Sequence, residues 1–239
     1  STGIITQARM TSTRLPGKIL MEANGKPLLH YHIERLKQTG YTIVIATTTN
    51  STDDVVCQWA EENNVLYFRG SEDNVLSRYY SAAKQLGFDT IVRVTSDCPL
   101  IDGYLVNHAI QKYHKLNNPN LYASNGIERT FARGFDLEIF SFQLLEEAMN
   151  KATLPMDLEH VTPYIWNNRS GKVMFYYIKQ KDNHSQLRIT VDTPQDYELI
   201  KILIEKHRAD EMTFQEIETL LLANPQLVAI NSHIEQKKV

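Results

Sequence analysis

The alternation of strand-like and helix-like segments through the first hundred residues constrains the fold of this chain most. Short runs rich in Ile, Val and Thr predict strands, and the longer stretches between them carry apolar residues at helical spacing. The predicted strands are 4–8, 42–47, 65–68 and 90–95, and the predicted helices are 26–38, 52–63 and 72–86, the last closed by Gly87. This order indicates an α/β fold with a parallel sheet covered by helices on both faces.

The second half of the chain is less regular and predicts a small β-rich subregion within one α/β domain. Its predicted strands are 121–124, 136–140, 172–178 and 187–191, and its predicted helices are 142–151, 194–206 and 213–222. The last residues, 236–239, are expected to form a frayed tail.

Composition excludes several classes of protein. The chain has 239 residues, of which 42% are hydrophobic and 22% charged, a balance typical of a globular fold. A net charge of −3 gives no basic field for nucleic acid, and no apolar run approaches the length of a membrane span. Cys57 and Cys98 lie far apart and are expected to be free thiols in a reducing cytoplasm, and no signal peptide or zinc-ligand spacing is evident.

A basic loop follows the first predicted strand. It carries Arg9, Arg14 and Lys18 among Ser and Thr residues and a Pro-Gly turn. Because ligands of open parallel sheets bind beyond the carboxyl ends of the strands, three cations here suit a polyanion such as a triphosphate. They would also neutralise charge on a leaving pyrophosphate. The alternative is a solvated basic loop without a ligand.

Two common nucleotide-binding motifs are absent from this loop. Lys18 is followed by Ile19, so the phosphate-binding motif of Walker-type NTPases is not formed. No G-x-G-x-x-G follows the first strand, which argues against a dinucleotide-dependent dehydrogenase.

Two aspartates occupy equivalent positions after predicted strands. Asp97 follows strand 90–95, and Asp192 follows strand 187–191. Carboxylates converging from two strand ends can hold Mg²⁺, which prefers a few protein oxygens together with substrate phosphate. As an alternative, Asp97 can simply shape a turn.

The residues after Asp192 have a structural explanation of their own. Thr193 and Asp196 predict a capping box for a helix that begins at Pro194. That box does not involve the side chain of Asp192, which keeps its candidate role as a metal ligand.

The segment Gln7–Leu20 strongly resembles the opening motif of the CMP-sugar synthetases, which include the CMP-Kdo and acylneuraminate cytidylyltransferases. It is most similar to their relatives in the spore-coat polysaccharide biosynthesis protein F group. Segments 69–76, 95–102 and 191–196 are similar to that group in order and spacing, so the resemblance covers nearly the whole chain.

The resemblance implies a Rossmann-like nucleotide-diphospho-sugar transferase fold, with a mostly parallel central sheet flanked by helices. It divides the single domain 1–239 into a nucleotide-binding half (1–118), an acceptor and dimerisation subregion (119–185) and a returning metal-site strand with C-terminal helices (186–239). A homodimer pairing through the second half is also implied.

The implied reaction is Mg²⁺-dependent transfer of CMP from CTP to a sugar acid, nonulosonic or Kdo-like, with release of pyrophosphate for surface polysaccharide biosynthesis. The residues themselves leave two alternatives open. One is a glycosyltransferase that uses a nucleotide-diphosphate sugar, and the other is a noncatalytic nucleotide-binding subunit. The basic loop favours the transferase that expels pyrophosphate.

Carried onto this sequence, the resemblance gives three sets of site residues. Asp97 and Asp192 would bind the metal and act in catalysis with Arg14 and Lys18. The nucleotide contacts would be Gln7, Ala8, Arg9, Arg14, Lys18, Ser71, Arg78 and Thr95, with backbone groups around Ala8 and Arg9 reading the base. Ser71 with its acidic neighbours Glu72 and Asp73 can alternatively be the cap and first turn of a helix.

The acceptor pocket is expected in the second half of the chain. Arg133 would pair with the acceptor's carboxylate, Asp136 and Glu138 would receive its hydroxyls or an amine, and His160 would lie beside it. Two alternatives remain at this point. Asp136 and Glu138 can form the polar face of a strand, and His160 can be a structural histidine.

Overall fold

The computed structural model describes residues 1–237, and its centre is a seven-stranded sheet. The strands are β1 (Thr2–Gln7), β2 (Glu22–Ala23), β3 (Lys26–Pro27), β4 (Thr42–Thr48), β5 (Leu66–Gly70), β6 (Thr90–Thr95), β7 (Leu121–Ser124), β8 (Glu138–Ser141) and β9 (Met174–Tyr177). The helices are α1 (Leu28–Lys37), α2 (Asp54–Glu62), α3 (Val75–Leu86), α4 (Gly103–Leu116), α5 (Phe142–Lys151), α6 (Pro155–His160), α7 (Pro163–Trp166), α8 (Pro194–His207), α9 (Phe214–Ala223) and α10 (Pro225–Val228). Short 3-10 helices cover Lys18–Leu20, Ser51–Asp53 and Ala209–Glu211.

The strand order of the large sheet is β5-β4-β1-β6-β8-β7-β9, and β2 pairs with β3 separately. Strands β5, β4, β1 and β6 are parallel to one another. Strand β8 is antiparallel to both its neighbours, β6 and β7, while β7 and β9 are parallel. The sheet is therefore mostly parallel, and the predicted α/β fold with helices around a central sheet is confirmed.

Successive residues of β1 show why both faces of this sheet are covered. Ile4 and Ile5 are both fully buried, but they belong to different hydrophobic clusters. Ile4 packs in a cluster with residues of α1, α4 and α8, whereas Ile5 packs in a cluster with residues of α3 and α5. Continuous apolar runs are typical of parallel strands buried on both sides.

Two predicted helix ends are confirmed and one helix start is wrong. Gly87 closes α3 in the left-handed conformation at φ 68°, and Thr193 with Asp196 forms the capping box of α8. Helix α3, however, begins at Val75 with Asn74 as its N-cap, because the Asn74 side chain accepts from the Ser77 N–H. The segment 71–73 therefore lies before the helix and is not its cap.

Helix α4 is absent from the predicted elements, although its start is marked in the sequence. Asp102 caps it by accepting a hydrogen bond from the Leu105 N–H at 2.8 Å. Its buried face carries Val106 and Ile110, four residues apart, which is helical spacing. Helices α6, α7 and α10 are likewise absent from the predicted elements, and they are short.

The predicted strand 187–191 is wrong within the part of the chain that the structure describes. The segment is extended, but it pairs with the sheet region only through one isolated bridge, between Arg133 and Arg188. Gly134 allows this close approach, because a Cβ there would lie 2.6 Å from Ile189 Cγ1. Asp192 therefore follows an extended segment, not a β-strand. Single backbone hydrogen bonds hold this segment in place.

None of the helices within residues 1–237 is both long enough and apolar enough to cross a bilayer.

Candidate active site

A cavity of about 580 Å³ opens at the carboxyl ends of β1 and β6. Its walls are the basic loop after β1, the segment leading into α3, and the residues around α6. Ten of the predicted site residues line it: Gln7, Ala8, Arg9, Arg14, Lys18, Arg78, Thr95, Asp97, His160 and Asp192. Ser71, Arg133, Asp136 and Glu138 are not among the lining residues that the structure describes.

The basic loop is closed by backbone contacts. The Gly17 N–H donates to the Met10 carbonyl at 2.8 Å, and Gly17 takes φ 71°, which glycine adopts without steric cost. The Met10 N–H donates to the buried carboxylate of Asp53 at 2.7 Å. Asp53 also accepts from Thr48 Oγ1, so one carboxylate ties the loop to the end of β4.

The two arginines of the loop are loosely paired. Arg9 Nη1 lies 3.4 Å from Glu72 Oε1, and its side chain is 43% exposed. Arg14 Nη2 lies 3.6 Å from Asp192 Oδ2, beyond hydrogen-bonding distance, and Arg14 Nε and Nη2 have no hydrogen-bond partner among residues 1–237. These guanidinium groups therefore keep donors available for a ligand.

Lys18 joins the two candidate metal ligands. Its Nζ lies 2.7 Å from Asp192 Oδ1 and 3.8 Å from Asp97 Oδ2. The two carboxylates thus converge on one point, and that point is already occupied by a positive charge. Asp97 Oδ1 also accepts from Thr95 Oγ1 at 2.5 Å.

Backbone hydrogen bonds bring Asp97 and Asp192 together. The Val191 N–H donates to the Asp97 carbonyl at 2.8 Å, and Thr190 Oγ1 donates to the same carbonyl at 3.3 Å. The segment ending at Asp192 is therefore fixed against the turn that carries Asp97, although no ladder strand forms over 187–191 within the described residues.

A buried histidine supports that turn from below. His32 Nδ1 lies 2.8 Å from the Cys98 carbonyl and must donate to it, while His32 Nε2 lies 2.8 Å from Thr6 Oγ1. In the neutral ring, Nε2 accepts from the Thr6 hydroxyl. Its complete burial lowers the pKa of His32 from 6.5 to about 4, outweighing the opposing effects of the Cys98 hydrogen bond and the Asp97 charge.

Arg188 is a site residue that the sequence reasoning missed. Its Nε and Nη2 each lie 2.9 Å from an oxygen of the buried Asp196, and Nη2 lies 3.3 Å from Asp192 Oδ2. Arg188 thus positions Asp192 from the side opposite Lys18. The signal in the sequence was the Arg–Asp spacing of four and eight residues, which is visible only once the extended segment is known.

Arg78 lines the cavity, but its donors are used by the protein. They reach the carbonyls of Ser71, Glu72 and Ala46 at 2.8–3.3 Å, and the residue is 2% exposed. Arg78 therefore holds the segment 71–72 against the end of β4, which explains the position of the predicted contact Ser71. Direct contacts of Arg78 and Ser71 with a nucleotide stay a prediction.

Three of the predicted acceptor residues form other contacts. Asp136 forms a bidentate pair with Arg129, at 3.0 and 2.8 Å. The backbone of Arg133 bonds to both Leu187 and Ile189 and so holds the extended segment in place. Glu138 lies in β8, where its carboxylate meets Arg93 at 2.6 Å.

The ion pair of Arg93 and Glu138 is connected to the cavity through Gln7, which lines it. Arg93 Nη2 donates to Gln7 Oε1 at 2.9 Å, while Glu138 Oε1 accepts from Thr162 and Tyr122. Arginine has no acceptor, so the Gln7 carbonyl must face it, and the Gln7 amide N–H groups remain for the cavity. The sequence reasoning named Gln7 and Glu138 but gave no signal that Arg93 connects them.

Helix α6 forms the wall opposite the basic loop. Its last residue, His160, is half-buried, and its Nε2 lies 3.7 Å from Glu159 Oε2. Burial lowers the pKa of His160, with a smaller contribution from Arg93, against the raising effect of Glu159. In its neutral form this imidazole has one donor and one acceptor nitrogen.

The residues at the foot of the loop fit a magnesium ion that is completed by substrate. Asp97 and Asp192 offer carboxylate oxygens, which magnesium prefers, and it commonly takes only one or two of them together with phosphate and water. Within residues 1–237, no group of three or more His, Cys, Asp and Glu side chains is arranged to hold a metal. An ion held by Asp97 and Asp192 would therefore take its remaining ligands from substrate phosphate and water.

A mostly parallel sheet with a cationic loop and two converging carboxylates at its carboxyl edge suits an enzyme that acts on the phosphates of a nucleotide. The comparison with known families agrees, since residues 3–229 match the cytidylyltransferase family model. This chain belongs to the cytidylyltransferase family.

Known relatives extend over nearly the full length of the chain. It is 33% identical over 230 residues to the spore coat polysaccharide biosynthesis protein SpsF of Bacillus subtilis, covering 92% of this chain and 94% of that protein. It is 34% identical to an uncharacterised protein of Methanocaldococcus jannaschii, covering 98% and 95%. Among solved structures, a cytidylyltransferase of Leptospira borgpetersenii is similar, with a TM-score of 0.88, 34% identity and 99% of each chain covered.

Proposed function

We propose that this protein is a Mg²⁺-dependent cytidylyltransferase that transfers CMP from CTP to a sugar acid, of the nonulosonic or Kdo-like kind, and releases pyrophosphate. The product would serve surface polysaccharide biosynthesis, and the reaction would take place in the cytoplasm. The family membership supports the nucleotidyl transfer, and the name of the Bacillus subtilis relative supports the link to polysaccharide.

The observation that carries the proposal is the convergence of Lys18, Asp97 and Asp192 at the base of the loop. Two carboxylates this close repel each other unless a cation lies between them. In the absence of ligand, the Lys18 ammonium supplies that charge. When substrate is bound, Mg²⁺ on the two carboxylates would supply it and withdraw charge from the α-phosphate.

The charges of the whole cavity favour the same interpretation. Within residues 1–237, five basic and five acidic side chains line it, namely Arg9, Arg14, Lys18, Arg78 and Lys237 against Glu72, Asp73, Asp97, Glu159 and Asp192. These ten charges balance formally, so the described residues give no surplus for a triphosphate. A divalent cation entering with the nucleotide would provide one.

The loop residues would act on the leaving group. As an acceptor oxygen attacks the α-phosphorus in line, the bond to the β-phosphate oxygen breaks and pyrophosphate leaves with the charge. Arg14 and Lys18 would neutralise it, Arg14 with donors that are weakly engaged and Lys18 by turning from Asp192 to phosphate. Positioning and charge neutralisation then supply most of the catalysis, without a covalent enzyme intermediate.

The acceptor would lie against the α6 wall. His160 and Glu159 line that side, and the Gln7 amide is held toward the cavity by Arg93. These groups suit hydroxyls and a carboxylate of a sugar acid. Arg133, Asp136 and Glu138 would then support the site from outside the cavity.

The test begins with calorimetric binding of CTP, UTP, ATP, GTP and a UDP-sugar in the presence of Mg²⁺. We expect preference for CTP in the wild type and its loss in Asp97→Asn, followed by pyrophosphate release with one member of a sugar-acid panel. Preference for the UDP-sugar would instead indicate a glycosyltransferase. Full turnover by Asp97→Asn would refute the metal role.

A homodimer is a further part of the proposal, and it rests on the family resemblance. Static light scattering of the purified protein measures it directly, and a monomer mass over the working concentration range would refute it.

A further inference from the structure

The C-terminal segment 235–237 lies across the basic loop, although the sequence predicts a frayed tail for 236–239. Residues 238 and 239 lie outside the described part of the chain. Gln236 and Lys237, by contrast, both contact residues of the candidate active site. The tail therefore has a defined place beside the cavity.

The anchor of this segment is Asn231, which is 2% exposed. Its Nδ2 donates to the Arg188 carbonyl and to Asp196 Oδ1, both at 2.9 Å. The Ile234 N–H then donates to the Asn231 carbonyl at 3.1 Å and closes a turn. This turn directs the next three residues toward the loop.

Each of those three residues makes one contact with the site. The Glu235 carbonyl accepts from Arg14 Nη1 at 3.3 Å. Gln236 Oε1 accepts from Arg188 Nη1 at 2.5 Å. Lys237 Nζ donates to Thr13 Oγ1 at 3.1 Å, and Lys237 lines the cavity.

These contacts connect the tail to the same residues that hold the carboxylates. Arg188 binds Gln236 with one nitrogen and Asp192 with another, and Arg14 faces both Glu235 and Asp192. Lys237 is thereby placed at the mouth of the loop that carries Arg14 and Lys18. The ammonium of Lys237 is exposed, and its hydrogen-bond partner within residues 1–237 is the neutral hydroxyl of Thr13 and not a carboxylate.

We propose that Lys237 is a nucleotide-binding residue: the C-terminal segment closes one side of the basic loop and brings this ammonium to the β- and γ-phosphates of the bound triphosphate. This inference rests on the proposed function, since it takes CTP as the ligand. It adds to the loop a fourth cation from the far end of the chain. A lysine binds phosphate as a point charge, so its contribution falls with added salt.

Calorimetry of CTP and CMP with Mg²⁺ at low ionic strength tests the proposal. We expect Lys237→Ala to weaken CTP binding about three- to fivefold, the effect of one partly exposed charge pair, and to leave CMP binding unchanged. Lys237→Arg should retain most of the affinity. Lys206→Ala is the matched control, because Lys206 is an exposed lysine in the last turn of α8 and its loss changes the net charge equally.

Gln236→Ala probes the route by which Lys237 is held. It removes the contact with Arg188 but no charge, so it should weaken CTP binding in the same direction by a smaller factor. A selective loss for CTP that Lys237→Arg restores supports the proposal.

Two results would overturn it and they are distinguishable. Equal CTP affinity for Lys237→Ala, Lys206→Ala and the wild type would refute the role of Lys237 and leave the cytidylyltransferase intact. A wild type that binds CTP no better than CMP would overturn the triphosphate site itself, and with it both proposals.

Discussion

The arginines of the basic loop differ from Arg93 and Arg129, which do not line the cavity, in how their charges are used. Arg14 has two donor nitrogens without a hydrogen bond among the described residues, and its nearest carboxylate oxygen is 3.6 Å away. Arg93 lies 2.6 Å from Glu138 and is mostly buried, and Arg129 forms a bidentate pair with Asp136. Both sets of arginines carry the same charge, but those of the loop have guanidinium donors that are free to bind a ligand.

Geometry, and not residue type, therefore distinguishes an arginine that can bind a ligand from one that supports the fold. An arginine in close contact with a carboxylate cannot turn to a phosphate without leaving that carboxylate unpaired. A loosely paired arginine loses little when it turns. Arg129, Arg93 and Arg188 should therefore affect stability or positioning, while Arg14 and Lys18 should affect ligand binding.

The largest effect is expected on stability, for the ion pair of Arg93 and Glu138. Arg93→Met should lower the free energy of unfolding by about 3 kcal/mol, because Glu138 would remain buried without its partner. Burial alone would lower the pKa of Arg93, but the Glu138 carboxylate raises it above the usual value. The two charges therefore stabilise each other. Urea unfolding measures the change, and the double variant Arg93→Met/Glu138→Gln should recover part of it. A loss below about 1 kcal/mol would show that Arg93 does not support the fold.

Lys18→Ala should show the opposite profile. We expect pyrophosphate release from CTP with the sugar-acid panel to fall about 100-fold, while the free energy of unfolding falls by only about 1 kcal/mol as Asp97 and Asp192 lose the cation between them. Lys18→Arg should recover part of the activity because the charge is kept. Equal losses of stability and turnover would place Lys18 with the structural residues.

The buried His32 predicts a pH dependence of stability. Its pKa is about 4 when folded and 6.5 when exposed, so between these values the unfolded chain binds more protons. The stabilising contribution is complete above pH 6.5 and is lost as the pH falls toward 4. It should amount to about 2 kcal/mol between pH 7.5 and 5.

The variant His32→Gln isolates this term, because glutamine can keep hydrogen bonds to Thr6 and Cys98 but does not titrate in this range. Urea unfolding at the two pH values should give a smaller difference for the variant than for the wild type. An unchanged difference would mean that other groups cause the acid sensitivity.

The smallest effect concerns Arg14. Arg14→Ala should weaken CTP binding about tenfold and leave CMP binding unchanged, because the residue faces the triphosphate tail. Arg129→Ala is the contrasting variant: it should lower stability through its lost pair with Asp136 but leave the CTP affinity intact. Equal losses for CTP and CMP in Arg14→Ala would contradict the assigned position.

The fold and the basic loop could be predicted because their signals are local. Strand and helix periods in the first half are continuous, and the motif from Gln7 to Leu20 is unbroken in the sequence. Asp97 and Asp192 were reached in the same way, since each follows an extended segment. The capping box at Thr193 is also a local pattern.

The remaining parts depend on contacts between distant segments. The acidic residue Glu138 looks like a ligand-binding residue until Arg93, 45 positions away, is seen beside it. The extended segment ending at Asp192 is held by Arg133 and Asp97, not by a ladder, so its β-like composition predicts the wrong element. Lys237 donates a hydrogen bond to Thr13, 224 positions away, and no local sequence pattern predicts that contact.

The bond between the Thr190 hydroxyl and the Asp97 carbonyl joins positions 93 residues apart, and this has a consequence for synthesis of the chain. The ribosome releases the strands up to Thr95 first, and domains can begin to fold while the rest is made. The second carboxylate arrives only with Asp192, and the contacts of the last described residues follow later still. A nascent chain that has not yet reached Asp192 can therefore pair β1, β4, β5 and β6 while the candidate site still lacks its second carboxylate. The site is completed only after the segment ending at Asp192 has been made.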